Sequence, residues 1–305
     1  MKILNLPLSR SNVDRASAIR LDESALEAAW STAGIIHFNG EGFLLESGEP
    51  ATLKKLAAAD ISGEGQRIFL GQHDQRSYFL WCSETKIGAE DQYQTLRAIG
   101  HLLSDLDIGL AVHGQAVAHW HHHNPICSTC GSVTAPQQGG AIRVCTENKH
   151  EHYPRTDPAI IVLIKDRDDR ILLGHQKVWP EHRYSTFAGF VEAGESFEQC
   201  VVREVFEEAG VAVSEINYLG SQPWPFPRSL MIAFEAQVTD PENARPDGQE
   251  IELIRWFDRD SIYEAVKDGT LLLPPAMSVA RAMINSWYGD DRPALTTAES
   301  WRNSS

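Results

Sequence analysis

Residues 189–211 read GFVEAGESFEQCVVREVFEEAGV, and this stretch decides both the fold and the chemistry that the chain supports. Five charged residues and the glycines stand at spacings that can bring several carboxylates together, as a site for a divalent cation requires. The residues that form this pattern are Gly189, Glu195, Arg203, Glu204, Glu207, Glu208 and Gly210, together with the apolar Val205 and Val211.

The second half of this stretch is predicted to be a helix. No proline or glycine interrupts residues 196–209, and Ser196 with Gln199 three residues later forms a capping-box pattern. Gly210 is the expected stop. At about 100° per residue, one face is expected to be apolar and the glutamates to lie opposite it. The residues expected on the apolar face are Val202, Val205, Phe206 and Ala209.

Glu204, Glu207 and Glu208 stand at i, i+3 and i+4, so their Cβ atoms lie roughly 5 to 6 Å apart on a helix. Their mutual repulsion favours a bound cation, and an all-oxygen ligand set suits Mg²⁺ or Mn²⁺. Arg203 is suited to orient the carboxylates. The alternative is a solvated acidic face paired with lysines, but the helix contains no lysine.

The stretch resembles the signature of the Nudix hydrolases, which cleave a nucleoside diphosphate linked to another group. The resemblance covers every fixed position of the signature over residues 189–211. A predicted strand at residues 185–191 leads into the helix through a glycine-containing turn. The resemblance implies that Glu204, Glu207 and Glu208 are metal ligands and that Glu195 and Arg203 support them.

Composition sets broader bounds on the chain. Its 305 residues, 42% hydrophobic and 23% charged, are enough for two domains and a small insert. The formal net charge of −15 argues against a protein that holds nucleic acid through a broad basic surface. No apolar run is long enough for a membrane helix, and the N-terminus has no secretory core, so the expected location is the cytoplasm.

A cysteine cluster before the signature resembles a zinc ribbon. Three cysteines follow the pattern of a CxxC knuckle and a later return: Cys127, Cys130 and Cys145. A second CxxC requires cysteine at 148, where Asn148 stands, so His150 and His152 are the candidate fourth ligands. His150 is preferred, because its C-x4-H spacing leaves room for a loop to close, and structural Zn²⁺ is predicted. The alternative is a ribbon that has lost its metal.

A histidine run precedes the cysteine cluster, at His119 and residues 121–123. Adjacent histidines would have to bend sharply to share one ion. The run is therefore predicted to be a polar linker.

The order of predicted elements from residue 157 onward fits an α/β/α sandwich around a mixed sheet. A mixed α/β domain and the small ribbon-like insert precede it. The predicted segments are an N-terminal domain at 1–122, the insert at 123–153, the Nudix domain at 154–289 and a flexible tail at 290–305.

Residues 220–234, GSQPWPFPRSLMIAF, alternate prolines with aromatic side chains. Proline fixes φ, so we expect a stiff, extended loop in which Trp224 and Phe226 form walls for a planar base. Gln222, Arg228 and Ser229 would then offer hydrogen bonds to ribose or phosphate. The alternative is a proline-rich connector with its aromatic side chains in the core.

The SQPWPFPxS pattern resembles the NADH diphosphatase branch of the family, including bacterial enzymes that remove NAD caps from RNA. By that resemblance Phe190 stacks on substrate, Ala280 contacts it through the backbone, and Glu250 is a metal ligand outside the helix. Leu253 stands where relatives commonly have a second glutamate. The predicted loop contacts are Gln222, Pro223, Trp224, Pro225, Phe226, Pro227, Arg228 and Ser229.

The predicted activity is hydrolysis of the pyrophosphate of NADH and NAD⁺ to AMP and nicotinamide mononucleotide. One rival is removal of the NAD cap from RNA 5′ ends as the main task. Two further rivals are a non-catalytic dinucleotide sensor and a zinc-ribbon nucleic-acid module. The resemblance also implies a homodimer.

Overall fold

The computed structural model describes residues 4–296, which separate into two compact units. Among these residues, the first unit comprises 4–7, 157–222 and 230–296. The second comprises 8–156 and 223–229. The predicted N-terminal domain and ribbon therefore cluster together, and a short piece of the proline-rich segment clusters with them.

The first unit contains a six-stranded sheet with strand order β12-β13-β9-β10-β14, in which β11 also pairs with β9. Helices accompany it on both faces, which confirms the predicted α/β sandwich. Its elements are β9 (Asp157–Lys165), β10 (Ile171–Gln176), β11 (Phe187–Phe190), α5 (Phe197–Ala209), β12 (Val213–Trp224), β13 (Ser229–Val238), β14 (Ile251–Phe257), α6 (Arg259–Lys267) and α7 (Val279–Tyr288).

Strand β9 explains why the sheet is covered on both faces. Its side chains alternate, so that Ile160 and Val162 pack with α5 while Ile161 and Leu163 pack with α6 and α7. A strand buried on both faces has a nearly continuous apolar sequence, as here. Leu295 is buried in the second of these cores, so this part of the predicted tail is packed, and residues 297–305 lie outside the described residues.

The second unit contains a five-stranded sheet of order β3-β4-β1-β2-β5 and a three-stranded sheet of order β6-β7-β8. Its helices are α1 (Ser17–Arg20), α2 (Glu23–Trp30), α3 (Leu96–Ile99) and α4 (Asp105–His123). Its strands are β1 (Gly34–Phe38), β2 (Phe43–Leu44), β3 (Gln66–His73), β4 (Arg76–Cys82), β5 (Tyr93–Gln94), β6 (Thr134–Gln137), β7 (Ile142–Cys145) and β8 (Glu151–His152).

The histidine run forms the end of α4, so the prediction of a polar linker is wrong. His121 is buried there, with Nε2 2.8 Å from the Gly140 carbonyl oxygen. Its Nδ1 accepts a 2.9 Å hydrogen bond from Arg143 of β7. Burial, which outweighs the hydrogen bond to Gly140, lowers the pKa of His121 to about 4, so the ring is neutral and ties the helix to the ribbon.

Within residues 4–296, no helix combines the length and the apolar character that crossing a bilayer requires. The longest helix, α4, contains aspartate in its first turn and histidines in its last.

Candidate active site

The predicted caps fix both ends of α5. The Ser196 side chain accepts a 3.2 Å hydrogen bond from the Gln199 backbone, and the Gln199 side chain accepts one of 2.9 Å from the Ser196 backbone. Gly210 ends the helix with a φ of 67°, a left-handed conformation that favours glycine. The predicted capping box and glycine stop are confirmed.

The buried face of α5 differs from the predicted one. Val205 and Ala209 face the core as expected, but Val202 is 43% exposed and Phe206 is 61% exposed. The residues that α5 buries are Cys200, Val201, Val205, Glu208 and Ala209. The prediction is therefore wrong for Val202 and Phe206, because the helix is rotated so that a glutamate faces the sheet.

Arg203 holds the carboxylates of the site in place. Its guanidinium donates two 2.8 Å hydrogen bonds to the two Glu195 oxygens, a bidentate pair. It also donates to Glu204 at 2.7 Å and to Glu207 at 3.0 Å. A further hydrogen bond from Arg203, 3.0 Å long, reaches the Phe190 carbonyl oxygen at the end of β11.

Glu195 is thereby fixed as an anion. The hydrogen bonds from Arg203, followed by one from the Glu192 backbone, lower the pKa of Glu195 to about 2. Its position in the turn before α5 lets it brace Arg203. This arrangement matches the supporting role that the resemblance implies for both residues, which stays a prediction.

Glu208 is the most unusual carboxylate in the site. Its side chain is 5% exposed, and among the described residues its Oε2 atom has no hydrogen-bond partner. Burial, and then the negative charges of Glu250 and Glu204, raise the pKa of Glu208 to about 9. Burial also raises the pKa of Glu204, even though Arg203 lies beside it.

This electrostatic situation fits a divalent cation. A buried carboxylate with an unpaired oxygen, close to other carboxylates, is costly unless a positive charge compensates it. The surrounding donors are all carboxylate oxygens, the ligands that Mg²⁺ and Mn²⁺ prefer. Glu204, Glu207, Glu208 and Glu250 are the residues that would hold it.

Gly189 leaves the space that Glu204 occupies. A Cβ atom built at Gly189 would lie 1.9 Å from the Glu204 carboxyl carbon, far below any real contact distance. Gly189 pairs with Ile160 in the sheet, so its backbone has little freedom to move away. This signature glycine is therefore required by close approach of a side chain.

We expect Gly189→Ala to lower kcat by about 100-fold, because it displaces Glu204 by more than an ångström. The Glu204 side chain can swing outward, so the unfolding temperature is expected to change little. Steady-state kinetics and a thermal melt of the same preparation check both statements. An unchanged kcat would contradict the assigned role of this glycine.

Glu250 lies just before β14 and is supported by two side chains that the sequence analysis missed, one distant in sequence and one adjacent. Gln176, at the end of β10, donates a 2.7 Å hydrogen bond to the Glu250 carboxylate. The Asp247 carboxylate accepts backbone hydrogen bonds from Glu250 at 3.1 Å and from Ile251 at 2.7 Å, which shapes the turn. A residue pattern of Asp-x-x-Glu before a strand was the available signal for Asp247.

The proline-rich segment is a hairpin rather than one extended loop. Strand β12 continues to Trp224, β13 begins at Ser229, and residues 225–228 form the turn. Gln222 is fully buried and donates a 3.0 Å hydrogen bond to the Met277 carbonyl oxygen. Ala280 is also buried, in α7, while Phe190 is exposed at the end of β11. Their predicted substrate contacts stay predictions.

Residues 223–229 belong to the second unit, and helices of that unit support them. Trp224 and Phe226 stack edge to face with ring centroids 4.9 Å apart. The Arg97 guanidinium, on α3, lies 4.0 Å from the Phe226 ring centroid and 5.5 Å from that of Trp224. Gln115, on α4, donates a 2.8 Å hydrogen bond to the Pro225 carbonyl oxygen.

The ribbon places the three cysteines and His150 together. Their ligand atoms all lie within 4.8 Å of one another. His152 is also near, with Nε2 3.2 Å from the Cys127 sulfur, but it is outside this set of four. Burial alone would raise the pKa of the Cys127 thiol, yet hydrogen bonds from His150 and neighbouring backbone groups bring it down to about 5. A thiolate-rich set of S and N donors suits tetrahedral Zn²⁺.

Comparison with known proteins agrees with this geometry. Residues 155–274 match the NUDIX domain family, and residues 122–153 match the NADH pyrophosphatase zinc ribbon domain family. The NAD-capped RNA hydrolase NudC of Mycobacterium tuberculosis (strain ATCC 25618 / H37Rv) is 36% identical over 296 residues, which are 92% of this chain and 94% of that protein. The chain belongs to the Nudix hydrolase family.

Two further proteins are similar to parts of this Nudix hydrolase. The human NAD-capped RNA hydrolase NUDT12 is 35% identical over 197 residues, 61% of this chain and 42% of that protein. A NUDIX hydrolase crystal structure from Nitrosomonas europaea matches with a TM-score of 0.38 and 22% identity, covering 45% of this chain and 78% of that one. The zinc ribbon match confirms the predicted ribbon in this Nudix hydrolase.

Proposed function

We propose that this Nudix hydrolase cleaves the pyrophosphate of NADH and NAD⁺, giving AMP and nicotinamide mononucleotide. The observation that carries the proposal is the set of carboxylates around Glu208. Its buried oxygen has no hydrogen-bond partner within residues 4–296, which calls for a divalent cation. The relatives named NAD-capped RNA hydrolases, with 36% identity over 92% of the chain, support a nicotinamide dinucleotide as the substrate class.

Glu204, Glu207, Glu208 and Glu250 would hold Mg²⁺ or Mn²⁺. When bound, such an ion neutralises charge on the pyrophosphate and lowers the pKa of an attacking water. Arg203 keeps Glu204 and Glu207 in position through its hydrogen bonds and is itself anchored by Glu195. Trp224 and Phe226 offer an aromatic surface for a planar base.

Product analysis by chromatography tests this proposal. NADH, NAD⁺, ADP-ribose and NAD-capped RNA are compared side by side with Mg²⁺ and with Mn²⁺. Release of AMP and nicotinamide mononucleotide from NADH is expected, and Glu207→Gln is expected to abolish it while leaving the fold intact. Full activity of the Glu207→Gln variant would overturn the assignment of the metal site.

Removal of the NAD cap from RNA is the second candidate function. It is favoured by the bacterial and human relatives, which are named NAD-capped RNA hydrolases. The net charge of −15 counts against tight, non-specific RNA binding. Comparing kcat/KM for NADH with kcat/KM for NAD-capped RNA decides which substrate is preferred.

Arg97, which lies over the Trp224 and Phe226 rings, is expected to affect the affinity for NADH. Replacing Arg97 with methionine keeps the length of the side chain but removes the cation over Phe226. Because a cation–π contact is worth about 0.5 to 2 kcal/mol, we expect KM for NADH to rise by about 2- to 30-fold with little change in kcat.

Arg97→Lys is expected to recover part of the affinity. Arg76→Met is the matched control, since Arg76 lies 5.7 Å from the Tyr78 ring centroid on β4, outside the hairpin. A loss of kcat with unchanged KM would contradict a role in holding the base-binding surface.

Structural Zn²⁺ held by the ribbon cluster and a homodimer are further parts of the proposal. The zinc ribbon family match and the Cys₃His geometry support the metal. The resemblance to NADH diphosphatases supports the dimer, which analytical ultracentrifugation tests. A cytoplasmic location fits the five cysteines, none of which is in a disulfide.

A further inference from the structure

Each of the four carboxylates proposed to hold metal already accepts a hydrogen bond from the protein. Arg203 donates to Oε1 of Glu204 at 2.7 Å and to Oε2 of Glu207 at 3.0 Å. The backbone of Ala188, on β11, hydrogen-bonds to the Glu208 carboxylate. The fourth carboxylate receives its hydrogen bond from a neighbouring strand.

These hydrogen bonds leave one oxygen of each carboxylate for a cation. In Glu208, which is 5% exposed, that oxygen is Oε2, and it has no hydrogen-bond partner within residues 4–296. Arg203 likewise contacts one oxygen of Glu204 and one of Glu207. A cation therefore meets single oxygens, because using both oxygens of a carboxylate would mean giving up a hydrogen bond to a charged group.

Gln176, at the end of β10, supplies the hydrogen bond to the fourth carboxylate. Its amide donates to Oε1 of Glu250 over 2.7 Å. The register between β10 and β14 shifts at this point, so that Gln176 pairs with Ile251, the neighbour of Glu250. A β-bulge of this kind re-aims side chains and is frequent next to active sites.

The Glu250 backbone is held as well as its side chain. The Asp247 carboxylate accepts backbone hydrogen bonds from Glu250 at 3.1 Å and from Ile251 at 2.7 Å. With the backbone held by Asp247, Gln176 sets the direction of the Glu250 carboxylate. The amide is neutral, so it occupies one oxygen without cancelling the negative charge that attracts a cation.

The number of oxygens that a carboxylate offers distinguishes one divalent cation from another. Mg²⁺ requires a nearly ideal octahedron and keeps several waters, so single carboxylate oxygens suit it. Ca²⁺ takes about six to eight oxygens in a flexible arrangement and can use both oxygens of one carboxylate. A carboxylate with one oxygen already occupied is therefore the better ligand for the smaller cation.

We propose that Gln176 determines metal selectivity, because it restricts Glu250 to one metal-binding oxygen and so favours Mg²⁺ and Mn²⁺ over Ca²⁺. Gln176 acts through Glu250 and is a positioning residue. The inference rests on the proposed function, since it takes Glu250 as a ligand of the hydrolytic metal. Within residues 4–296 the Gln176 side chain has no other hydrogen-bond partner, so its effect is confined to Glu250.

Displacement of Mn²⁺ from the full chain measures this selectivity. Free Mn²⁺ is followed by electron paramagnetic resonance while Mg²⁺ or Ca²⁺ is added, and the two midpoints give the ratio of affinities. Gln176→Met keeps the length of the side chain but cannot donate. It is expected to raise the affinity for Ca²⁺ relative to Mg²⁺ about tenfold, the effect of one hydrogen bond to a charged group.

A second variant and a matched control make the test specific. Gln176→Asn has an amide one carbon too short to reach Glu250, so it is expected to shift the ratio in the same direction. Gln249→Met changes an exposed side chain adjacent to Glu250 and is expected to leave the ratio unchanged. A thermal melt with chelator establishes that each variant is folded. An unchanged ratio in both Gln176 variants, or an equal shift in the control, overturns the inference.

The displacement assay requires no substrate, so it separates this inference from the proposed function. A tenfold shift in a protein that does not hydrolyse NADH supports the role of Gln176 and rejects the proposed substrate. An unchanged ratio in a protein that does hydrolyse NADH overturns only the role of Gln176. Absence of Mn²⁺ binding to the unchanged protein overturns both.

Discussion

Glu208→Gln is expected to lower kcat for NADH by about 1000-fold, because a metal ligand that stabilises the transition state contributes several kcal/mol. Glutamine matches the shape of a protonated glutamate, so the fold is expected to persist. Glu198→Gln, at an exposed position in the first turn of the same helix, is the matched control. A kcat within tenfold of the unchanged enzyme would contradict the role of Glu208.

The same substitution, Glu208→Gln, is expected to lower activity but to raise the stability of the metal-free protein. The pKa of Glu208 is raised from its ordinary value of 4.5 to about 9. The stability that this residue contributes is therefore complete below pH 4.5 and is lost progressively as the pH rises towards about 9. Glutamine does not titrate, so metal-free Glu208→Gln is expected to be the more stable protein at pH 8.

Chemical denaturation between pH 5 and pH 9, with chelator and with Mg²⁺, measures this difference. Adding Mg²⁺ is expected to reverse the order of stability, since the cation binds the ionised carboxylates of the unchanged protein. A variant that is less stable than the unchanged protein at pH 8 without metal would show that Glu208 is not held protonated.

His150→Ala is expected to release the metal of the ribbon and to lower the unfolding temperature by roughly 10 °C or more. Structural zinc contributes much of the folding free energy of a small ribbon, and each kcal/mol shifts the melting temperature of a domain this size by about 2 to 4 °C. Zinc content per chain and a thermal melt measure the two effects.

Two variants make the assignment of the fourth ligand specific. His152→Ala is expected to keep the metal, because His152 contacts the Cys127 sulfur from outside the cluster of four. His150→Cys is also expected to keep it, since sulfur serves zinc as well as nitrogen does. Metal retention by His150→Ala together with its loss in His152→Ala would reverse the assignment.

The sequence predicted those parts of the molecule that depend on interactions between residues close together in the chain. The caps of α5 follow from Ser196, Gln199 and Gly210, whose interactions span only a few residues. The rotation of α5 about its axis depends on the sheet that packs against it, so the exposure of Phe206 was not predictable from a helical period alone. A polar run such as residues 121–123 contains no helix breaker, which is why it continues α4 instead of linking domains.

Supports that come from distant parts of the chain were not predictable. Gln115 contacts Pro225 across 110 residues of sequence, and no pattern around either residue indicates the other. Gln176 likewise contacts Glu250 across 74 residues. The carboxylates themselves were predictable because their spacing on one helix is itself the signal.

The grouping of residues 223–229 with the second unit matters for how such an enzyme evolves and is engineered. Different stretches of the gene encode the carboxylates that would hold the metal and the residues that contact the aromatic turn. If the turn holds the base as proposed, substitutions on α3 or α4 are expected to alter which nucleotide is accepted without changing any acidic residue of α5. A contiguous fragment covering only residues 154–289 would retain those carboxylates but lose Arg97 and Gln115. Such a fragment is expected to discriminate poorly among nucleotides.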